Sequence, residues 1–234
     1  MTSSIVILTG AGMSAESGIA TFRASDGLWE NHRPEDVATP EAFAADPDLV
    51  HRFYNARRAQ LLDGLVAPNA AHVALARLDH ELDGDLLLVT QNIDDLHERA
   101  GSTRVLHMHG ELLRSRCCAC GAVSEFRGDV DDTTRCPRCG AEGGMRPHVV
   151  WFGEIPLGMD EIFTTLESCD VFAAIGTSGN VYPAAGFVQV ARAAGAHTLE
   201  LNLEPSFVNT NFTETRLGPA GTTVPKWVTE VLRA

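Results

Sequence analysis

The sequence predicts an α/β protein with a doubly wound, mostly parallel sheet and a smaller zinc-binding module inserted in it. Short apolar runs alternate with helical patterns along most of the chain, which is typical of a parallel sheet covered by helices on both faces. The first apolar run ends in a glycine turn at residues 10–12. Two Cys-x2-Cys pairs interrupt the middle of the chain: Cys117 with Cys120, and Cys136 with Cys139.

The elements follow in order from these patterns. Residues 3–9 are predicted to form an apolar strand, and a helix is expected to begin near Met13. Residues 34–67 carry more charge and are predicted to be helical, with Pro40, Pro47 and Pro68 as boundaries. The remaining predicted elements are a helix at 70–82, a strand at 86–90, a helix at 95–100, strands at 103–107 and 171–175, a helix at 187–194, a strand at 198–203 and a helix at 224–232.

The amino-acid composition limits the classes of function that the chain can have. A chain of 234 residues with 44% hydrophobic content can bury the core of one large α/β domain. It has no apolar run of about eighteen residues and no signal-like N-terminal segment, so we expect no membrane partner and a cytoplasmic location. The net charge of −13 argues against a nucleic-acid partner, because phosphates would be repelled by such a surface.

The cysteine pairs predict one structural Zn²⁺. Two pairs at this separation are typical of a tetrathiolate site, and four protein sulfurs leave no open coordination position for a substrate. The segment from residue 114 to about 145 has little hydrophobic core of its own, which fits folding around a metal. Disulfides are the alternative, but the paired spacing favours metal. Cys118 could compete as a ligand, and Cys169 is expected to be a small buried hydrophobe.

The glycine turn at residues 10–12 indicates a nucleotide-binding site. Residues 10–15, Gly-Ala-Gly-Met-Ser-Ala, fit a G-x-G-x-x-A pattern after a strand, where backbone N–H groups can approach a pyrophosphate. Taken alone, the pattern also fits a plain turn. The acidic residue expected about twenty positions later, at the end of a second strand, is missing from that context, which disfavours an ordinary dehydrogenase.

The residues after the turn extend this pattern into a family signature. The chain reads G-A-G-x-S-x-x-S-G-I-x-x-F-R over residues 10–23, followed by Gln-Asn-Ile-Asp at 91–94, His-Gly at 109–110 and the cysteine pairs. In these motifs and their order, from residue 5 to residue 234, the chain resembles the sirtuins, the NAD-dependent protein deacylases. One departure is Ala20, where the family usually has proline, so we expect a less restricted loop after Gly18.

The resemblance implies a single sirtuin-type domain, residues 1–234, with two parts. A large Rossmann-like part comprises about residues 1–21, 69–111 and 146–234. A small part combines a helical insertion at about 22–68 with the zinc module at about 112–145. NAD and an acyl-lysine peptide would enter the cleft between the two parts from opposite sides.

The resemblance also implies the NAD-binding residues: Gly10, Ala11, Gly12, Ser14, Glu16, Phe22, Arg23, Gln91, Asn92, Ile93, Asp94, Gly176, Thr177, Ser178, Asn202, Leu203, Glu204 and Ala220. In this set Asn92 would orient a water and the ribose, and Asp94 would hold the nicotinamide carboxamide. Residues 176–178 would donate to phosphate, residues 202–204 would hold the adenosine ribose, and the backbone of Ala220 would meet the adenine. The alternatives are an Asx turn at Asn92 and Asp94, and plain strand-end loops elsewhere.

His109 and Asn92 are the predicted catalytic residues. Deacylation with NAD needs the acyl oxygen to attack C1′ of the nicotinamide ribose, and then a base that activates a ribose hydroxyl. Histidine suits the base because its ordinary pKa lies near the working pH. The His-Gly context ahead of the zinc module distinguishes His109 from His72, His97 and His107, which we expect to be structural.

Substrate-binding residues are predicted in two segments. Val150, Phe152 and Gly153 resemble the family's strand that pairs with the substrate backbone. Tyr54 and Arg57 lie three apart on one helix face. They match the Y-x-x-R pair of the class III sirtuins, where a hydroxyl and a guanidinium suit an acyl group that ends in a carboxylate. The alternative is a solvated arginine beside a half-buried tyrosine.

These expectations converge on a bacterial class III deacylase. It would remove acetyl and succinyl or malonyl groups from acyl-lysine proteins and release nicotinamide and 2′-O-acyl-ADP-ribose. Two alternatives remain open. A mono-ADP-ribosyltransferase is disfavoured by His109 together with the Tyr54/Arg57 pair, and a non-catalytic NAD sensor is disfavoured by the intact Asn92, Asp94 and His109.

Overall fold

The computed structural model describes residues 3–20, 29 and 32–233. The strands of these residues are β1 (Ser3–Thr9), β2 (Gly84–Thr90), β3 (Val105–His107), β4 (Gly110–Cys117), β5 (Val123–Glu125), β6 (Met145–Val149), β7 (Val171–Ile175), β8 (His197–Asn202) and β9 (Glu214–Leu217). The α-helices are α1 (Ala11–Ser14), α2 (Pro34–Val37), α3 (Pro40–Ala45), α4 (Pro47–Leu62), α5 (Ala70–Glu81), α6 (Leu96–Ala100), α7 (Met159–Leu166), α8 (Phe187–Ala193) and α9 (Ala220–Val231). Within the described ranges, no helix is both long enough and apolar enough to cross a bilayer.

Six strands form the main sheet, in the spatial order β3-β2-β1-β7-β8-β9, and each neighbouring pair is parallel. The chain first builds outward from β1 to β3 and later from β7 to β9, so the strand order reverses between β1 and β7. This is the doubly wound, Rossmann-like arrangement that the sequence predicts. Sheets of this kind bind ligands at the carboxyl ends of their strands, where the order reverses.

Strand β1 packs into two cores because successive side chains of a strand point to opposite faces of the sheet. Ile5 and Ile7 belong to the core that includes buried residues of α5 and α9. Val6 and Leu8 belong to the core that includes buried residues of α7 and α8. The sheet is therefore covered on both faces, as an apolar parallel strand requires.

Prolines begin the three helices described in the helical insertion. Pro34, Pro40 and Pro47 are the first residues of α2, α3 and α4. Proline is favoured at this position, where its missing N–H would have no partner within the helix. Thr39 and Asp46 cap α3 and α4 by accepting a backbone N–H with their side chains.

A second, antiparallel sheet in the order β5-β4-β6 carries the cysteine pairs. It meets the helical insertion in a third core, which includes Phe53 and Tyr54 of α4, Leu112 of β4, and Trp151. The separation into a large and a small part at the residue boundaries given above stays a prediction.

The structure departs from the predicted elements in a few places. The sequence did not predict α7, β9 or the antiparallel sheet. The helix after the glycine turn begins at Ala11 rather than near Met13, and α9 begins at Ala220 rather than at Val224. Strand β6 ends at Val149, so Val150, Phe152 and Gly153 follow the strand instead of belonging to it.

Candidate active site

The glycine turn after β1 packs against the turn that follows β7. Gly10 N donates to Ile175 O at 3.0 Å, and Gly12 N donates to Gly176 O at 2.9 Å. A Cβ atom on Gly12 would lie 2.8 Å from Gly176 Cα, and one on Gly10 would lie 2.8 Å from Gly176 O. Neither position has room for a side chain, so the two turns approach closely where the strand order reverses. Ala11 begins α1 between the two glycines.

Ser14, Asn92 and Asp94 form a buried polar cluster beside this turn. Ser14 Oγ donates to Asp94 Oδ2 at 3.1 Å. Asn92 Nδ2 lies 3.1 Å from Ser14 Oγ and 3.1 Å from Gly10 O, and donates to both. The structure thus brings together three predicted NAD-binding residues that follow two different strands, β1 and β2.

Asp94 is a buried carboxylate with two distinct hydrogen bonds. Its Oδ1 accepts from Leu96 N at 3.2 Å, which is the Asx turn leading into α6, while Oδ2 accepts from Ser14. Asp94 therefore takes part in both the Asx turn and the Ser14/Asn92/Asp94 cluster. Burial raises the pKa of Asp94 to about 6, although the hydrogen bonds from Leu96 and Ser14 lower it. The carboxylate is ionised at neutral pH at a free-energy cost.

His109 is held in one tautomer by the backbone at the end of β2. Its Nδ1 lies 3.0 Å from Gln91 O. Because a carbonyl oxygen only accepts, Nδ1 carries the hydrogen and Nε2 keeps its lone pair. Burial lowers the pKa of His109 below 6.5, against the opposing effect of the bond to Gln91. The same loop is anchored by Ile93 O, which accepts from Leu112 N at 2.8 Å.

The ends of β7 and β8 lie side by side. Asn202 Nδ2 donates to Thr177 O at 2.7 Å, which fixes the turn at residues 176–178 against the end of β8. Ser178 is exposed, and its Oγ accepts from Asn180 N at 3.3 Å. Leu203 has 68% of its surface exposed, and Glu204 is exposed beside it.

Glu16 connects the start of the chain to α9. Its Oε1 accepts from Gly221 N at 2.8 Å, next to Ala220, which is half-buried at the first position of the helix. Two further predicted NAD-binding residues, Phe22 and Arg23, lie outside the described residues.

The segment after β6 lies against both parts of the predicted cleft. Val150 N donates to His109 O at 2.8 Å, and Phe152 N donates to Ala38 O at 3.0 Å. Gly153 has a positive φ of 89° and lies in a turn in which Glu154 N donates to Trp151 O at 3.0 Å. Phe152 has 52% of its surface exposed and is available to a ligand.

Tyr54 and Arg57 lie on α4, and their environments differ. Tyr54 is buried, and its hydroxyl oxygen accepts from Trp151 Nε1 at 3.0 Å. Arg57 is half-buried. Its Cζ lies 3.5 Å from the centroid of the Phe53 ring, and its Nη1 donates to Phe53 O at 2.7 Å. Tyr54 is thus buried, whereas the alternative interpretation expected a half-buried tyrosine.

The four paired cysteines meet at one point. Their sulfur atoms all lie within 4.8 Å of one another. The separations Cys117–Cys139 and Cys120–Cys136 are both 3.8 Å, which matches the roughly 3.8 Å between sulfurs placed tetrahedrally at about 2.3 Å from zinc. The set fits one structural Zn²⁺. Cys118 is exposed and outside this group.

The two cysteine pairs have the same backbone turn. Cys117 O accepts from Gly121 N at 2.9 Å, and Cys136 O accepts from Gly140 N at 2.9 Å. Both glycines have positive φ, 70° and 74°, where a side chain would be strained. Two equivalent turns facing each other place four thiolates around one ion. Cys169 is a buried free thiol away from this site, as expected.

Comparison with known proteins identifies the family. The Sir2 family matches residues 10–183, from the glycine turn through the zinc module to the loop after β7. The chain belongs to the Sir2 family.

Two bacterial relatives of this Sir2-family chain have the same name. The NAD-dependent protein deacylase of Vibrio vulnificus (strain YJ016) is 61% identical over 97% of this chain and 93% of its own length. The NAD-dependent protein deacylase of Escherichia coli (strain K12) is 61% identical over 98% of this chain and 82% of its own length.

Solved structures agree with the fold. A Sir2 homologue in complex with NAD is 39% identical, with 98% of this chain and 89% of that chain covered and a TM-score of 0.88. A Sir2 protein bound to an acetylated peptide is 28% identical, with 97% of this chain and 92% of that chain covered and a TM-score of 0.81.

Sequence reasoning missed Thr9 and Thr90, which pack behind the site, whereas His97 and His107 make the structural contacts that it expected. Thr9 and Thr90, at the ends of β1 and β2, share a hydrogen bond of 2.9 Å, and His97 Nε2 lies 3.0 Å from Thr9 Oγ1. His107 lies 2.7 Å from Glu98 and 3.3 Å from Asn92 O. These contacts join residues far apart in the chain, and only the strand-end position of the threonines offered a signal.

Proposed function

We propose that the protein is an NAD-dependent protein-lysine deacylase that removes acetyl groups and also succinyl or malonyl groups, and releases nicotinamide and 2′-O-acyl-ADP-ribose. The observation that carries the proposal is the buried Ser14/Asn92/Asp94 cluster at the switch point of the sheet, next to a histidine held with its Nε2 lone pair available. The names of the bacterial relatives support it.

The residues around the switch point fit NAD. When bound, NAD supplies the ribose carbon from which nicotinamide leaves. The backbone at Gly10, Ala11 and Gly12 would lie against the pyrophosphate, as the glycine turn after the first strand does in Rossmann-type folds. The turn at residues 176–178 would donate to phosphate, and Asn202, Leu203 and Glu204 would hold the adenosine ribose, with Ala220 at the adenine.

Asp94 and Asn92 would position the nicotinamide end. The Asp94 carboxylate can accept from a carboxamide N–H once it is ionised, above pH about 6. Asn92 uses Nδ2 for Gly10 and Ser14. Its Oδ1 has no hydrogen bond within the described part of the chain and would accept from a water or a ribose hydroxyl.

His109 would act as the general base. With Nδ1–H donated to Gln91 O, the Nε2 lone pair can take a proton from a ribose hydroxyl. A pKa below 6.5 keeps the imidazole neutral at physiological pH, so the base is already in its active form. Hydrogen bonding to a backbone carbonyl also fixes the ring orientation in the absence of substrate.

Tyr54 and Arg57 would bind the distal carboxylate of a succinyl or malonyl group. Burial raises the pKa of Tyr54 well above its ordinary value, so the hydroxyl stays protonated and can donate. Arg57 offers a guanidinium with five N–H donors, one of which already donates to Phe53 O. A carboxylate between a hydroxyl and a guanidinium would form charge-assisted hydrogen bonds.

Acyl-lysine proteins would reach this site along the segment after β6. Phe152 is exposed, and we assign Val150, Phe152 and Gly153 to the backbone of the substrate. A mono-ADP-ribosyltransferase or a non-catalytic sensor would not need a base in this tautomer beside Asn92. A cytoplasmic location stays a prediction.

The test compares acetyl-lysine and succinyl-lysine peptides of one sequence, with nicotinamide release measured by mass spectrometry. Arg57→Met should lower kcat/KM for the succinyl peptide about 10- to 150-fold, since hydrogen bonds to charged groups contribute roughly 1.5–3 kcal/mol. The acetyl peptide has no carboxylate to lose. Arg52→Met, an exposed arginine on the same helix, is the matched control. An unchanged succinyl-to-acetyl ratio in Arg57→Met refutes the carboxylate site, and no NAD-dependent nicotinamide release with either peptide refutes the deacylase.

A further inference from the structure

Trp151 determines which way the Tyr54 hydroxyl can point. The two residues are 97 positions apart in the chain, and Trp151 Nε1 lies 3.0 Å from Tyr54 Oη. Each side chain is only 2% exposed. Because an indole N–H only donates, the Tyr54 oxygen accepts in this bond, and its own hydrogen must point elsewhere.

Trp151 is itself held by an ion pair between a buried arginine and a half-buried glutamate. Arg146 is 6% exposed, and its Cζ lies 3.4 Å above the Trp151 ring. Its two Nη atoms donate to the Glu154 oxygens at 2.8 and 2.9 Å. Glu154 Oε2 also accepts from Trp151 N at 2.8 Å. Both the ring and the main chain of Trp151 are therefore fixed by the Arg146/Glu154 pair.

We propose that Trp151 is a positioning residue for acyl selectivity: its Nε1–H occupies the Tyr54 oxygen and directs the Tyr54 O–H toward the distal carboxylate of a succinyl or malonyl group. Arg146 and Glu154 fix the indole in the orientation that this requires. The inference rests on the proposed carboxylate site. It gives Arg146, Trp151 and Glu154 a role in the turnover of succinyl-lysine that they do not have in the turnover of acetyl-lysine.

The experiment is a double-mutant cycle read as the succinyl-to-acetyl ratio of kcat/KM. Trp151→Phe keeps an aromatic ring and removes the N–H donor. A hydrogen bond between neutral groups contributes about 0.5–1.5 kcal/mol, so the ratio should fall about 2- to 12-fold. The double variant Tyr54→Phe/Trp151→Phe should have the same succinyl-to-acetyl ratio of kcat/KM as Tyr54→Phe alone.

Controls separate positioning from stability. Trp227→Phe alters a buried tryptophan in the core between α5 and α9 and should leave the ratio at the wild-type value. If Trp151→Phe fails to fold, Arg146→Lys replaces it. That variant keeps the charge and loses the two-pronged bond to Glu154, and it should lower the ratio only when Tyr54 is present.

The outcomes distinguish the two proposals. An equal loss on both peptides, or an equal fall of the ratio with and without the Tyr54 hydroxyl, overturns the role of Trp151. If Arg57→Met and Tyr54→Phe lower the ratio and Trp151→Phe does not, only this inference fails. If neither Arg57→Met nor Tyr54→Phe changes the ratio, the carboxylate site itself is refuted, and the inference with it.

Discussion

The ionised Asp94 side chain is expected to destabilise the folded protein, and replacing it should raise the free energy of unfolding. Burial raises its pKa from 3.8 to about 6. Between pH 3.8 and about 6, Asp94 is protonated in the folded protein and ionised in the unfolded chain. The free energy of unfolding therefore falls as the pH rises through this interval. Above pH 6 the cost is complete. At about 1.4 kcal/mol per pH unit it amounts to about 3 kcal/mol.

Asp94→Asn should remove this cost, keep the hydrogen bond from Leu96 N and reverse the hydrogen bond with Ser14. The amide oxygen can still accept from Leu96 N, and the amide nitrogen can donate to Ser14 Oγ. We expect the variant to be more stable than wild type at pH 8 by about 3 kcal/mol, or about 6–12 °C in Tm for a chain of this size. Deacylation should be lost, because an amide nitrogen cannot accept from the nicotinamide carboxamide.

The assay is urea and thermal unfolding of both proteins at pH 8 and pH 5. The advantage of Asp94→Asn should shrink to about half at pH 5, where the folded wild type is mostly protonated at this position. Asp132→Asn, at an exposed position, controls for the change in net charge. A variant no more stable than wild type at pH 8, or an advantage that does not decrease toward pH 5, would refute the reasoning.

Two further predictions concern the base and the metal. His109→Gln should lower kcat about 10²- to 10⁴-fold with little change in Tm. Because burial lowers the pKa of His109 below 6.5, wild-type kcat/KM should be level near neutrality and fall only as pH drops through that lower pKa; a fall beginning above pH 7 would contradict the assignment. Cys136→Ala should lose zinc, measured by mass spectrometry, and lower both Tm and activity, because binding at such sites contributes about 10 kcal/mol to folding. Cys118→Ala should keep one zinc, and loss of its metal would place Cys118 among the ligands.

The sequence predicted the sheet and the metal set because their signals are local. Strands β1 and β7 each contain a continuous apolar run, and Cys-x2-Cys spacing brings two sulfurs to one ion without any distant contact. Strand β9 was missed because it is a short, polar edge strand that pairs with β8 alone. Helix α7 was missed although, at eight residues, it is longer than α6 and α8, which the sequence predicted.

The orientation of neighbouring aromatic residues could not be read from the sequence. Trp151 and Phe152 are adjacent, yet the first is 2% exposed and the second 52%. The sequence shows an aromatic pair, and only the turn at Gly153 and the bonds of Glu154 decide which ring faces inward. The same limit applies to Tyr54, whose partner lies 97 residues away.

Helix α4 explains why a metal at the cysteine pairs should affect turnover at the predicted carboxylate site. Asn55 exchanges two hydrogen bonds with Val130 of the zinc module, of 2.9 and 3.0 Å. Arg58 donates to Gly128 O at 3.2 Å. The residues that bind the module therefore alternate along α4 with Tyr54 and Arg57. A zinc module that unfolds releases the helix that carries the predicted carboxylate site, so loss of zinc should reduce succinyl turnover even where the NAD-binding turns stay folded.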